Sequence, residues 1–276
     1  MKVIGVGDNV VDMYIDKGKM FLGGNALNFA VFASKLNYSA AFLGVFGDDK
    51  LADYAKSTLQ HFKIDLGHSK TKHGENGYSR VTVENGDRTF IDSNQGGVLQ
   101  KGLDLSSKDI DYINNFSVAH FNINGAADSY LPKIKGPKII YDFSDLYTYP
   151  KIKEVAHWIN VGCFSVGNMT RQNVIRLCKR VAGTGIKLVL CTMGSNGAVV
   201  YAAGKFFWQP AIPTQVVDTM GAGDSFITAF GTNLFNDKFG EINDFRIKAS
   251  LREAADFAAQ QVKVPGSFDY GENLIF

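Results

Sequence analysis

Short apolar runs alternate with amphipathic stretches along most of this chain, and that alternation narrows the fold more than any other feature. "KVIGVG" (2–7) reads as a buried strand, and "GGNALNFAVFASKLN" (23–37) switches to helical spacing with Ala26, Phe29, Ala30 and Ala33 on one side. "SAAFLGVFG" (39–47) is again strand-like, and "DDKLADYAKSTLQHF" (48–62) is a helix led by acids. Such a βαβα order implies a mainly parallel sheet covered by helices. The order breaks over 68–98, where "GYSRVTVENGDRTFID" alternates polar and apolar residues around Asn85-Gly86, a strong hairpin signal. A hairpin set into an α/β chain predicts a small sheet standing off the main body.

The main pattern then resumes. "DIDYINNF" predicts a helix; "VAHFNI", "KIIYDF" and "VGCFSV" predict strands; "TRQNVIRLCKRVA" (170–182) predicts a helix and "KLVLCT" (187–192) a strand. "GAVVYA" and "KFFWQ" suggest antiparallel pairing at one edge, and two helices follow at about 222–236 and 246–262. No internal repeat, low-complexity tract or long linker interrupts the chain. The expected organisation is a single α/β domain over residues 1–276, with a β lid built from about 12–22 and 68–98.

Charge is nearly balanced, with 29 basic and 27 acidic side chains among 276 residues, so the electrostatics point to neither a nucleic-acid nor a membrane partner. No apolar run approaches the roughly 20 residues a membrane helix needs. "MKVIGVGD" reaches Asp8 too soon for a signal peptide. Cys163, Cys178 and Cys191 lack paired spacing and read as free thiols of a cytoplasmic protein; the five histidines show no zinc-ligand spacing.

The segment that demands a chemical explanation is "VVDTMGAGDSFITAF" (216–230). Gly221, Ala222 and Gly223 stand in a row at an expected helix start, where glycine costs stability. A tight turn needing small residues only for packing is one account. A dinucleotide fold is another, but neither Gly5-Val6-Gly7 nor Gly221-Ala222-Gly223 supplies the third glycine of G-x-G-x-x-G, and a Walker loop is absent. The third account is an anion hole, in which the bare N–H groups of a helix N-terminus meet a phosphoryl group. Phosphoryl transfer needs positioning, charge stabilisation and a base for the attacking hydroxyl. Asp224, in the first turn beside those donors, is placed to be that base, and Asp218 and Thr219 just upstream are candidates to orient the turn or bind a monovalent cation such as K+.

These residues resemble a known family. "DTMGAGDSF" looks like the C-terminal signature of the PfkB (ribokinase-like) carbohydrate kinases, and "GGNALNFAVFASKLN…LGVFGDD" resembles their N-terminal one. The hairpin falls where the family carries a β lid, and "CTMGSNGAVVY" resembles its nucleotide segment. The resemblance implies a three-layer α/β/α sandwich with a mainly parallel central sheet and a small β-sheet lid. It also implies ATP and Mg2+ as cofactors and a small-molecule sugar or fructosyl-amine as substrate. Asp224 would be the catalytic base, and the amides of Gly221, Ala222 and Gly223 would hold the phosphoryl group. Asn9, Asp12, Gly24, Asn25, Asn28, Arg88 and Asp142 would bind the sugar, with Asp8 a further polar group of the pocket, and Asn168, Thr192, Gly194 and Gly197 would line the nucleotide pocket.

Four departures from the family pattern stand out. Asn25 replaces a frequent lysine, and Asn37 a Gly or Ser. The N-x-x-E motif lacks its glutamate, leaving Asn168 and Arg171 near its place, and Thr228 and Gly231 deviate beyond Asp224. The missing glutamate is the best support for a rival reading, a sugar or nucleotide sensor of the same fold without turnover. Within the family, "GDNVVDMY", "GGNALNFAV", "TKHG" and "YDFSD" resemble the fructosyl-amine kinases, which phosphorylate a 6-hydroxyl. Kinases of 2-keto-3-deoxygluconate, fructose or ribose are the alternatives. Asp92 and Asp145 are the sequence candidates for meeting the substrate amine, and exposed lid edges predict a homodimer.

Overall fold

The computed structural model describes residues 1–84 and 87–274, apart from the side chains of residues 83, 84, 87, 88 and 239. The expected Asn85-Gly86 turn therefore lies outside the described residues. In chain order the elements are β1 (Lys2–Gly7), β2 (Val10–Tyr14), β3 (Lys19–Gly23), α1 (Asn25–Lys35), β4 (Ser39–Phe46), α2 (Lys50–His61), β5 (Lys70–Thr71), β6 (Tyr78–Glu84) and β7 (Asp87–Ser93). They continue with α3 (Ser107–Asn114), β8 (Val118–Asn122), β9 (Lys138–Asp142), α4 (Tyr149–Val155), β10 (Val161–Ser165), α5 (Arg171–Ala182) and β11 (Leu188–Thr192). The last are β12 (Ala198–Ala202), β13 (Lys205–Gln209), α6 (Ala222–Leu234), α7 (Asp244–Gln261) and β14 (Gly271–Asn273).

Nine strands form the large sheet in the order β13-β12-β11-β10-β9-β8-β1-β4-β5. The run from β11 to β5 is parallel, and β12 and β13 add antiparallel strands at one edge. Side chains alternate between its faces as strand geometry requires. Val3 and Ile140 join the core under α1, α2, α6 and α7, whereas Ile4, Val6, Ile139 and Tyr141 join the core under α3, α4 and α5. Both faces are covered, which is why these strands read as continuous apolar runs. Gly231, one of the departures, lets α6 lie against β9, where a Cβ would come within 2.1 Å of Ile140 Cδ1.

A second sheet of five strands has the order β14-β3-β2-β6-β7. Its central pair, β2 and β6, is parallel and its other pairs are antiparallel. Two elements differ from expectation. Lys70–Thr71, expected with the hairpin, pairs with β4 on the large sheet, and the tail strand β14 pairs with β3, giving the second sheet an edge that its own polar sequence does not announce.

Helix starts divide into two kinds. α2, α3, α4, α5 and α7 are capped by the side chains of Asp49, Ser106, Thr148, Thr170 and Asn243. α1 and α6 begin instead at Gly24 and Gly221, with no side-chain cap. Both glycines have positive φ, 104° and 69°, conformations that side chains resist. The first amides of α1 reach a carboxylate from outside the helix, Asp8, and Ala222 N of α6 donates to Thr219 O.

Candidate active site

The chain runs from β1 to β4 on one side and returns to β8 on the other, so the sheet has a topological switch point at β1, where open α/β sheets place their ligand crevice. The C-terminal ends of the strands bring polar side chains there. Asp8 follows β1, Asn122 ends β8 and Asp142 ends β9. Asn122 Nδ2 donates to Asp8 Oδ1 at 2.7 Å, and the first amides of α1 complete that carboxylate: Asn25 N to Oδ2 and Ala26 N to Oδ1, both at 3.0 Å. Burial nevertheless holds the Asp8 carboxyl above its ordinary range, against these donors.

α1 and α6 then bring together side chains almost two hundred residues apart. Asn28 Nδ2 donates to Asp224 Oδ2 at 2.7 Å. Asn25 Nδ2 bridges two carboxylates, donating to Asp142 Oδ2 at 2.8 Å and to Asp224 Oδ1 at 3.2 Å. Asn25 and Asn28 lie three residues apart on one helix face, so both amides aim at the same place. Asp142 also accepts from Ser144 N at 2.8 Å, and burial pushes its carboxyl up to about 6. The structure thus brings together Asn25, Asn28, Asp142 and Asp224, with Asp8 and Asn122 hydrogen-bonded beside them. Asn122 was not singled out from the sequence; its place at a strand's C-terminal end was the available signal.

Other expected sugar-site residues surround this group. Asn9 is buried and donates to Val45 O at 2.8 Å, leaving its Oδ1 without a partner. Asp12, on β2, is also buried, and a Cβ on Gly23 would fall 2.4 Å from its Oδ2. Gly24 is packed so closely that a Cβ would lie 2.9 Å from Asn9 Cα. The backbone of Arg88 pairs with Val83 in the hairpin, but its side chain lies outside the described residues.

At the α6 start, Gly221 and Gly223 are glycines for different reasons. A Cβ on Gly221 would sit 2.9 Å from Ser267 Oγ and 3.1 Å from Phe32 Cζ, whereas one on Gly223 would meet nothing within 4 Å. The fold needs the first; open space adjoins the second. Ala222 N already donates to Thr219 O at 3.2 Å, so one of the three expected phosphoryl donors is engaged within the turn.

Asp218 lies in the turn that leads into α6. It is 1% exposed, and its carboxylate accepts from Tyr14 Oη at 2.8 Å, Gly266 N at 3.0 Å and Met220 N at 2.9 Å. These bonds tie the turn to the second sheet and to the segment after α7, and Thr219 O accepts from Ala222 N within the same turn. Among the described residues no three His, Cys, Asp or Glu side chains are arranged to hold a metal ion.

Thr192 ends β11, half-buried, with Oγ1 3.5 Å from Phe164 O. Gly194 is exposed with open space about it, and Asn168 is exposed after β10. Gly197 is demanded by packing, since a Cβ there would lie 2.1 Å from Gln209 O. The remaining departures have local accounts. Asn37 adopts φ 64° just past α1, a left-handed position that Asn tolerates, and Thr228 Oγ1 donates to Asp224 O at 2.7 Å. The three cysteines are free and buried, and no described helix is long and apolar enough to cross a membrane.

The chain is similar to the fructosamine kinase FrlD of Bacillus subtilis (strain 168), 35% identical over 274 residues covering 98% of this chain and 94% of that protein. It is similar also to the fructoselysine 6-kinase of Escherichia coli (strain K12), 31% identical over 228 residues covering 82% and 86%. Its fold matches that of Arabidopsis thaliana ribokinase complexed with ribose and ATP, with a TM-score of 0.77 and 22% identity over 96% of this chain and 93% of that one. The model of the pfkB family carbohydrate kinases matches residues 1–136 and 149–269, spans that carry both the asparagines of α1 and the glycine turn of α6. The chain therefore belongs to the pfkB family and is an ATP-dependent carbohydrate kinase.

Proposed function

We propose that this kinase transfers the γ-phosphoryl group of Mg-ATP to the 6-hydroxyl of a fructosyl-amine, with Asp224 as base. The observation that carries the reading is Asp224 itself. It is half-buried in the first turn of α6, oriented by Asn25 and Asn28 and next to the open space at Gly223. The names of the similar Bacillus subtilis and Escherichia coli proteins support the acceptor.

In the reaction the 6-hydroxyl donates its hydrogen bond to Asp224, which takes the proton as the oxygen attacks the γ-phosphorus and the ADP oxygen leaves. Charge on the transferring group is met by N–H groups at the start of α6, aided by the helix dipole. Asn25 and Asn28 keep the carboxylate aimed, and Asn9 and Asp12 receive the other hydroxyls. Mg2+, when bound with the nucleotide, would supply charge neutralisation on its phosphates. Thr192 and Gly194 border the nucleotide. The second sheet acts as a lid that excludes water competing with the sugar.

A dimer through that sheet is part of the proposal. Phe90 and Ile91 on its edge strand β7 are 62% and 55% exposed, apolar surface that a second copy would cover. Light scattering that gives a monomer's mass at working concentration would remove it.

ADP release from Mg-ATP should be measured with fructoselysine, other fructosyl-amino acids, fructose, ribose and 2-keto-3-deoxygluconate, with Asp224→Asn as control. Turnover of the fructosyl-amines that disappears in the control is expected. Turnover of another sugar alone would transfer the assignment to that sugar, and ATP binding without turnover across the panel would favour a sensor.

A further inference from the structure

The polar cluster at the C-terminal ends of β1, β8 and β9 holds a carboxylate without a counter-charge. Asp142 is 3% exposed, and among the described residues it makes no ion pair. Its two oxygens receive one neutral donor each, Ser144 N and Asn25 Nδ2, although a carboxylate can accept about four hydrogen bonds. A buried charge left in that state is costly until something cationic meets it.

The other acids near the pocket, or suggested by the sequence, are differently placed. Asp8 already accepts three hydrogen bonds, and Asp218 accepts three more within its turn. Asp92 pairs with Arg80 at 3.1 Å on the exposed hairpin. Asp145 is exposed beyond β9 and accepts from Ser144 Oγ. Asp142 is a buried acid with capacity to spare.

A second observation points to a ligand. Asn28 is 2% exposed, and while its Nδ2 is spent on Asp224, its Oδ1 has no hydrogen-bond partner. The cluster thus offers unsatisfied acceptors on both sides of Asn25, whose nitrogen touches Asp142 and Asp224 together.

We propose that Asp142 binds the protonated amine on carbon 1 of the substrate, with Asn28 Oδ1 as a second acceptor, and so selects fructosyl-amines over neutral sugars. The proposal rests on the fructosyl-amine reading above. A secondary ammonium carries two N–H groups, one for each acceptor. In the furanose form, carbon 1 and carbon 6 branch from the two ring carbons that flank the ring oxygen. An amine held at Asp142 therefore leaves the 6-hydroxyl close to Asp224. Fructose places a neutral hydroxyl where the amine would be and leaves the carboxylate without a counter-charge.

The test compares kcat/KM for 1-deoxy-1-(methylamino)fructose, which carries only the carbon-1 amine, with that for fructose. Wild type should prefer the amine, and in Asp142→Asn the ratio should fall by about 10²-fold, the scale of removing one partner from a buried charge pair. Asp142→Glu, which restores the charge, should recover part of the ratio. Should asparagine prevent folding, as judged by circular dichroism, Asp142→Ser carries the same expectation. A wild-type preference that survives in Asp142→Asn, or that collapses instead in Asp145→Asn or Asp92→Asn, overturns the proposal alone. Failure of wild type to phosphorylate any fructosyl-amine overturns the substrate reading with it.

Discussion

Two buried aspartates, Asp218 in the turn before α6 and Asp142 at the end of β9, show how differently one side chain can be used. Asp218 accepts three hydrogen bonds from groups that arrive from β2, from its own turn and from the segment after α7. Asp142 accepts two, both neutral, and burial holds its carboxyl up at about 6. The first is satisfied by the fold and contributes rigidity. The second keeps hydrogen-bonding capacity in reserve, which the proposed amine would use.

The comparison is sharpened most by Asp224, which belongs to the pocket by its contacts and to the turn by its position. Asp224→Asn should lower kcat by about 10² to 10⁴ while ATP binding and the unfolding midpoint stay near wild type. Near-normal turnover would remove Asp224 from the mechanism.

Asp218→Ala should act in the opposite sense. It removes the acceptor that Asp218 gives to the Tyr14 hydroxyl and two amides, and the loss read by urea denaturation should be about 3 kcal/mol. A stability unchanged from wild type would show that the turn is held elsewhere.

The two glycines of the turn should separate in the same way. Gly221→Ala forces a side chain into a left-handed conformation against Ser267 and should cost about 2 kcal/mol. Gly223→Val faces open space, so its stability should stay within about 1 kcal/mol of wild type while turnover falls. Equal effects on stability would erase the distinction between them.

The smallest effect concerns Asp142 and pH. Its carboxyl is raised from 3.8 to about 6, so the native chain holds the proton more tightly than the unfolded one. Its contribution to stability is therefore full below pH 3.8 and is lost as pH rises through about 6. Unliganded Asp142→Asn should gain about 1 kcal/mol over wild type at about pH 7.5 and nothing near pH 4. A gain independent of pH would mean that the carboxyl ionises normally.

Much of this was legible along the chain because it depends on neighbours in sequence. Strand and helix periods marked β1, α1, β4, α2 and the elements from α3 to α7, except α4, whose seven residues are too few to show a period. The glycine turn and Asp224 were visible because small residues at a helix start are locally costly and needed a reason. Lys70–Thr71 and β14 were misplaced or missed because a strand of two or three residues carries too little pattern to show which sheet it joins.

The sequence by itself determined the α/β architecture, the carboxylate at the start of α6 and the uncapped glycines beside it, since each follows from residue spacing and backbone freedom. Only the tertiary structure decided what those groups meet. The switch point at β1 gathers the ends of β1, β8 and β9, and α1 lays Asn25 between Asp142 and Asp224, which lie 117 and 199 residues further along the chain. It also decided that Asp218 receives three donors from separate segments while Asp142 receives two. Hydrogen-bond satisfaction of a buried carboxylate depends on donors brought from distant segments, and spacing along the chain does not record them.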